Sequence, residues 1–260
     1  MKGMAQEVSW STGKPGVEGI LLSQESDTAA YAGHLRKARE LSRRAIVSAE
    51  MAQEKEAAAD YEAQLALREA LFGNAVEARN RAAAALRLST GRDAQCEAAV
   101  GLAAVGEIPP AQALAKDLDK RYPADTVVQF NCLTAIRALL ALNRNEFSTA
   151  VQALQPATPY ELGSVPLALY PVYVRGTAYL AGHHATEATA EFQKILDHPG
   201  IVTNEAIGVL AHLQMGRAYA LSGETIKAKT AYRNFLTLWK DANPDIPVLK
   251  QAKAEFTKLQ

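Results

Sequence analysis

Cysteine, tryptophan and net charge are what this sequence has least of: two cysteines and two tryptophans in 260 residues, and 28 basic side chains against 28 acidic ones. Cys96 and Cys132 form no C-x-x-C motif, and nothing in the chain says that they come close enough to bridge, so small buried hydrophobes are expected there. The even charge balance leaves no long-range field to gather nucleic acid or an anionic membrane surface, and partners must be recognised locally. Long apolar runs are missing too. The opening stretch MKGMAQEVSWSTGKPGVEG holds no apolar run of about seven, and no later window nears about eighteen, so neither a signal peptide nor a membrane span is expected.

Catalytic motifs are equally scarce. STGKPGVEG contains Gly13 and Lys14, but Pro15 follows, no glycine stands five positions before Gly13 and no strand precedes it, so the loop cannot cradle a phosphate. There is no H-E-x-x-H, no G-x-S-x-G, and no cysteine with a motif-level histidine partner. His183 and His184 share one turn, and His198 lies a helix away, about 18 Å at a rise of about 1.5 Å per residue, too far to share a metal with them. The expectation is a non-enzyme with no metal and no cofactor.

What the chain does have is helix-forming material. Residues are 48% hydrophobic, Ala and Leu dominate, and apolar positions recur at three and four, with no alternating β-branched runs. Breaks come regularly at FGN (72–74), STGRD (89–93), GEIPP (106–110), RYPAD (121–125), LNRNE (142–146), HPG (198–200), SGE (222–224) and NPDIP (243–247). Asp93 and Asn204 are candidate N-caps, and Asp245 precedes a helix with Pro247 in its first turn.

One sentence is written twice. VYVRGTAYLAGHHATEATAEFQKIL (172–196) and HLQMGRAYALSGETIKAKTAYRNFL (212–236) align Gly176 with Gly216, Tyr179 with Tyr219, Ala188 with Ala228, and Phe192 with Tyr232, forty residues apart. This pattern resembles the tetratricopeptide repeat, a pair of antiparallel helices. Small residues at the crossing let backbones approach to the short end of about 8–10 Å, and the aromatics fill the wedges beside them. Weaker copies run backward through Ala138, Leu142, Ala150 and Leu154, then Ala99, Leu102, Gly106, Ala111 and Pro123, then Ala66, Gly73, Ala78 and Ala82. Helices around Asp27–Glu50 and Lys55–Phe72 begin the array. The resemblance implies an all-α fold: a right-handed α-solenoid of about six helix pairs over 25–260, closed by a terminal helix at 246–259, after a flexible segment at 1–24.

The segments GKPGVEGILLSQESDTAAYAGHLRKARELSRRA, ALREALFGN, TPYELG, YPVYVRGTAYL, EFQKILDHPGIV and LWKDANPDIPVLKQAKAEF carry a second resemblance. They look like the region that follows the catalytic domain in a group of bacterial eukaryotic-like serine/threonine protein kinases, some of whose relatives carry other N-terminal effector domains. The likeness runs from Trp10 onward and implies a sensing or scaffolding role beside a kinase or regulator domain. No kinase signature accompanies it, since no H-R-D, no D-F-G and no glycine-rich loop after a strand occurs. A cytoplasmic location is expected, or an extracytoplasmic one if the chain is the detached sensor region of a membrane kinase.

Two surfaces are candidates for binding. Arg36, Arg39 and Arg43 form one helical stripe that could hold an anion, although Glu40 can pair with Arg44 and no aromatic interleaving points to nucleic acid. The repeat register places Tyr170, Tyr173 and Thr177, and then Leu213, Gln214 and Arg217, on the inner side of successive units, where a protein or peptide segment would lie along a concave groove. Tyr170 and Tyr173 could equally be core residues, and Arg175 stands where a buried Leu is usual, its head expected to reach solvent. The expected function is therefore a non-catalytic interaction scaffold, with the sensory or regulatory region of a kinase or transcriptional regulator as the alternative.

Overall fold

Helices rich in Ala and Leu stop where the backbone must turn back on itself, and here it turns in the same way again and again. The computed structural model describes residues 7, 10–14, 16–163 and 167–259. Among the described residues there are fourteen α-helices and no strand: α1 Val17–Tyr31, α2 Leu35–Met51, α3 Lys55–Leu71, α4 Ala75–Leu88, α5 Arg92–Ala104, α6 Ile108–Arg121, α7 Leu133–Leu142, α8 Phe147–Leu154, α9 Tyr170–Ala181, α10 Ala185–Asp197, α11 Pro199–Val202, α12 Ala206–Leu221, α13 Thr225–Leu238 and α14 Pro247–Lys258. A π-helical turn, Val127–Cys132, leads directly into α7.

Seven of the turns between helices hold a left-handed residue: Gly33, Gln53, Gly73, Gly106, Asn145, His183 and Gly223. The next N–H in each case reaches back to a carbonyl five residues earlier, as in His34 to Ala29 at 2.8 Å, Glu54 to Ala49 at 2.9 Å and His184 to Tyr179 at 2.8 Å. This is the Schellman closure, which satisfies carbonyls left over at a helix end. One such turn at Gly33 splits the single helix expected over Asp27–Glu50 into α1 and α2. The side-chain N-caps expected at Asp93 and Asn204 do not form: Gly91 and Glu205 occupy those positions without a capping bond. Asn204 instead donates to Gln24 O at 3.2 Å and to Thr28 Oγ1 at 3.1 Å.

Helices pack as neighbouring pairs: α1 with α2, α3 with α4, α5 with α6, α7 with α8, α9 with α10, and α12 with α13. First helices also touch first helices of the next pair, α3 to α5, α5 to α7, α7 to α9 and α9 to α12, an arrangement compatible with a helical solenoid. In the pairs α9–α10 and α12–α13, a Cβ on Gly176 would stand 2.7 Å from the Phe192 ring, and one on Gly216 would stand 2.8 Å from the Tyr232 ring. The aromatic of the second helix lies flat in the notch left by the glycine of the first. Ala188 and Ala228 are fully buried beside them, while Tyr179 and Tyr219 are half-buried.

The array does not stay open. α12 packs on α1 and α3, so the last pair returns to the first two. Trp239, buried past the end of α13, donates its indole N–H to Tyr31 O at 2.9 Å and meets Phe72 edge-on at 5.1 Å. Asn243 N donates to Gly33 O at 3.0 Å, Arg36 N to Asn243 Oδ1 at 2.8 Å, and Val248 N to Phe72 O at 3.2 Å. Both junctions are tight, the one at Gly33 more than the one at Gly73. A Cβ at Gly33 would collide with Ala242, and one at Gly73 would stand 3.1 Å from Pro247.

The N-terminal expectation needs correction. Residues 17–24 are not a flexible segment but the first half of α1, with Leu22 fully buried, because that helix forms one wall of the closure. The rest of 1–24 falls partly outside the described residues. Cys96 and Cys132 are buried as expected but are not separate: they are joined in a disulfide, Cα to Cα 5.6 Å, between α5 and the π-helical turn.

Gln53 and His183 are exposed non-glycine residues in left-handed turns. Gln53→Gly and His183→Gly should each raise the unfolding free energy by about 0.5–1 kcal/mol by relieving the Cβ penalty. Urea midpoints that stay put or fall at both sites would contradict this. Gly216→Leu should destabilise by about 1–3 kcal/mol, since the Tyr232 ring has no room to give way. A thermal melt identical to the parent would show that the ring is not held there.

Candidate functional site

The six residues expected along a concave groove are brought together, but inside the ring. Tyr170, Tyr173, Leu213 and Gln214 are buried, and only Thr177 and Arg217 keep partial exposure. Closure of the array is the reason, because the inner faces of the first helices meet across the centre. A polar chain threads them. Gln214 Nε2 donates to Tyr173 Oη at 3.1 Å, Arg217 Nη1 donates to Gln214 Oε1 at 3.3 Å, and Thr177 Oγ1 donates back to Tyr173 O at 2.9 Å. Arg217 then grips Glu255 of α14 with two bonds of 2.9 Å, and Tyr232 donates to the same carboxylate at 2.9 Å. The terminal helix thus plugs the groove with a carboxylate of its own.

Other expected features are spent internally. Arg39 makes a bidentate pair with the fully buried Glu69 at 2.6 and 2.7 Å, and Arg36 pairs with Asp245 at 3.2 Å, so two of the three stripe arginines already hold an anion from the chain. Arg43 leans on the Arg39 carbonyl at 3.3 Å, and Arg44 faces Glu18 at 4.0 Å, not Glu40. Arg175 does not reach solvent: it is buried between Glu161 at 2.9 Å and Glu191 at 2.6 Å, with Lys194 on Glu161 at 2.6 Å. His198 bonds the Lys194 carbonyl at 2.7 Å and His184 faces Glu187 at 3.7 Å. Among the described residues no group of three or more His, Cys, Asp or Glu is placed to hold a metal ion.

At one end of the inner face lies a chamber of about 220 Å³ that the sequence reading passed over. Its polar wall comes from Asp27 of α1, Gln64 and Arg68 of α3, Glu97 of α5, Tyr170 at the start of α9, and Thr203, Asn204 and Glu205 at the entry to α12. Leu67 and Tyr170 separate it from a second, more apolar recess of about 180 Å³, lined in part by Val100, Leu139 and Tyr173. Arg68 is buried and committed: Nη2 is paired with Asp27, and Nη1 donates to Ser26 at 2.8 Å and to Ser42 at 3.4 Å. Tyr170 donates its hydroxyl to Glu205 at 3.0 Å. Glu205 is crowded by protein on nearly every side yet stays accessible from the surface, because the recess it lines is partly open. Glu97 is buried, and its Oε2 has no hydrogen-bond partner.

Charge is unevenly matched around this chamber. Arg68 serves Asp27, and Arg92 serves Asp93 at 2.6 Å and Asp125 at 2.9 Å, whereas no ion pair among the described residues involves Glu97, Glu205 or nearby Asp60. Burial pushes the Glu97 carboxyl well above its ordinary range, with Glu205, Asp60, Asp93 and Asp27 adding repulsion. Glu205 is raised to about 6 by burial and by Asp27, against the attraction of Arg68 and the Tyr170 hydroxyl. Burial, then Asp93 and Glu56, raise Asp60 to about 6, while the Ala94 backbone and Arg92 oppose them. A signal for Glu97 did exist. It stands in AQCEAAVGLAAV, a helix buried on nearly every side, where a carboxylate must face either a partner or a cavity.

No protein-family model matches the chain, and no curated protein matches it significantly. No helix of the described residues is long and apolar enough to cross a membrane.

The raised carboxyls make a signed prediction. Folded Glu205 and Asp60 hold protons up to about pH 6 that the unfolded chain releases near its ordinary values of about 4. The folded state binds more protons in that window, so both groups take stability away as pH rises through it. Glu205→Gln and Asp60→Asn should therefore each flatten the fall of unfolding free energy between about pH 4.5 and 6.5. Urea titrations at several pH values that run parallel to the parent would contradict it.

Proposed function

We propose that the chain is a non-catalytic regulatory and interaction module. Its helix pairs are read as tetratricopeptide-type repeats of a right-handed array, supported by the Gly–aromatic notches at Gly176–Phe192 and Gly216–Tyr232. The array acts as the sensory or regulatory region for a signalling effector, a serine/threonine kinase or a transcriptional regulator. The observation that carries this reading is the closed inner face. Its residues Tyr173, Gln214 and Arg217 are satisfied by one another and by Glu255, which leaves a partly open chamber sized for a small molecule in place of a trough for an extended chain. The Cys96–Cys132 bridge supports an oxidising, extracytoplasmic setting over the cytoplasm.

A peptide-holding scaffold is the second reading, and one contact favours it. Arg217 and Glu255 are both partly exposed, so an acidic partner segment could take the place of Glu255 on the guanidinium fork.

Affinity capture from the source cell, followed by mixing each purified candidate with the purified chain in the ultracentrifuge, decides between them. A stoichiometric complex with a kinase or regulator that survives Arg217→Ala supports the regulatory reading. A complex lost with Arg217→Ala supports the groove scaffold. Failure to reconstitute any captured candidate overturns both.

A further inference from the structure

Ionisable groups are expensive to bury unless something compensates them, and truncating one partner of a buried pair is destabilising because the other charge is stranded. The chamber beside Tyr170 holds one such carboxyl, the buried Glu97, and a second, Glu205, that is crowded by protein but open to water, and among the described residues neither forms an ion pair. The Glu97 Oε2 is buried with its hydrogen-bonding capacity unused, in the wall of a cavity large enough to supply a partner. Buried polar atoms are mostly satisfied, and although Asp60 Oδ1, both side-chain polar atoms of Asn131 and Arg175 Nη1 also lack partners, Glu97 is the one of these residues that lines the chamber, where a donor can reach it.

The chemistry of that donor can be narrowed. An anion is disfavoured by the wall: among the described residues that line it the one guanidinium, on Arg68, has both terminal nitrogens engaged by Asp27, Ser26 and Ser42. A metal ion is disfavoured because no three ligating side chains among the described residues converge. Water alone would leave the apolar part of the wall, Leu67, Ile201 and Ala206, without a match. The remaining fit is a group with several N–H donors, a positive charge and a compact hydrocarbon body. A volume of about 220 Å³ exceeds the roughly 150 Å³ of an apolar cavity that takes benzene, so the ligand is somewhat larger than a single ring.

We propose that this chamber binds a small organic cation, a primary ammonium on a compact apolar body, with the ammonium facing Glu97 and Glu205 and the body against Leu67 and Ile201. An ammonium offers three donors and no acceptor, which matches acceptor-only carboxylates and the Gln64 carbonyl oxygen. Its charge restores Glu97 and Glu205 to the ionised form, so binding releases protons from carboxyls that burial keeps raised. Asp27 and Arg68 on α1 and α3, Asp60 on α3 and Asp93 on α5 are the other charges bearing on them, and Tyr170 donates to Glu205 from α9. The proposal gives the sensory reading a ligand class and rests on that reading for its purpose, but the binding is measured on the chain alone.

The test is isothermal titration calorimetry of the whole chain with benzylamine and with 1,4-diaminobutane. Benzyl alcohol serves as the neutral isostere, and magnesium and calcium chlorides as cation controls. Saturable one-to-one binding of at least one amine is expected, with none for the alcohol, and with heats that depend on the buffer because protons leave. Glu97→Gln and Glu205→Gln should each weaken the amine at least about tenfold while keeping the circular dichroism of the parent and a single cooperative melt. If Glu97→Gln fails to fold, Glu205→Gln, whose side chain is accessible, decides. The assignment is overturned by any of three results: no saturable amine heat up to about 10 mM, equal binding of the alcohol, or Gln variants that bind like the parent. Saturation of the same site by a divalent cation overturns it too. Loss of amine binding with an intact effector complex sinks the chamber alone, and amine binding without any reconstituted effector complex sinks the sensory reading alone.

Discussion

The structure depends on the return of the last helices to the first. Helix ends leave carbonyls without intrahelical partners, and a left-handed turn exposes them to whatever packs next. At the ends of α1 and α3 these acceptors are Tyr31 O, Gly33 O and Phe72 O, and the C-terminal chain supplies a donor to each from Trp239, Asn243 and Val248. The bonds cross more than 170 residues of sequence, so they close the array rather than stack one more repeat on it. Hydrophobic burial reinforces them. Trp239 wedges between Phe72 and Phe235, with ring centroids 5.1 and 4.9 Å away, and together they bury the large apolar surface that terminal repeats otherwise expose.

Closure changes what the inner face is for. In an open array the first helices line a trough, and their tyrosines and arginines meet a partner. Here the same side chains meet one another, and Tyr173, Gln214, Arg217 and Glu255 form a continuous hydrogen-bonded line. A network satisfied in this way rigidifies the interior and has little left to offer a peptide. The chamber next to it is the exception. Its Glu97 carboxyl keeps unmet capacity in a place where desolvation makes that costly, and such departures from internal consistency cluster at functional sites.

Much of the fold was legible because helix periodicity and the forty-residue echo are local signals. Gly176 and Gly216, Phe192 and Tyr232 could be paired by spacing alone, and the structure sets each ring on its glycine. Three kinds of feature were not legible. The turns at Gln53, Asn145 and His183 use the same left-handed geometry as Gly33 or Gly73 but carry side chains that do not announce it. The Cys96–Cys132 bond joins residues 36 apart, a distance in sequence that says nothing of distance in space. The burial of Tyr170, Tyr173 and Leu213 follows from closure, a contact between the two ends that no repeat register encodes, whereas residues 17–24 are helical wall because that turn of α1 packs on Ala45 of α2 and Tyr61 of α3. Glu97 could have been flagged by its apolar helix, but its neighbours Glu205 and Asp27 come from helices brought together only in three dimensions.

The position of the chamber ties its chemistry to the closure. Asp27 and Arg68 belong to the first two pairs and Glu205 to the last, whereas Glu97 sits beside the bridged Cys96 in the middle of the ring. Removing negative charge from this cluster, by protonation or by a bound cation, relieves repulsion between Glu205 on one side of the joint and Asp27 on the other. Asn204, the neighbour of Glu205, already bonds Gln24 and Thr28 of α1, so the same short segment both lines the chamber and fastens the ends. Whatever binds there more tightly in the closed arrangement favours closure by that difference in affinity, and closure favours its binding equally.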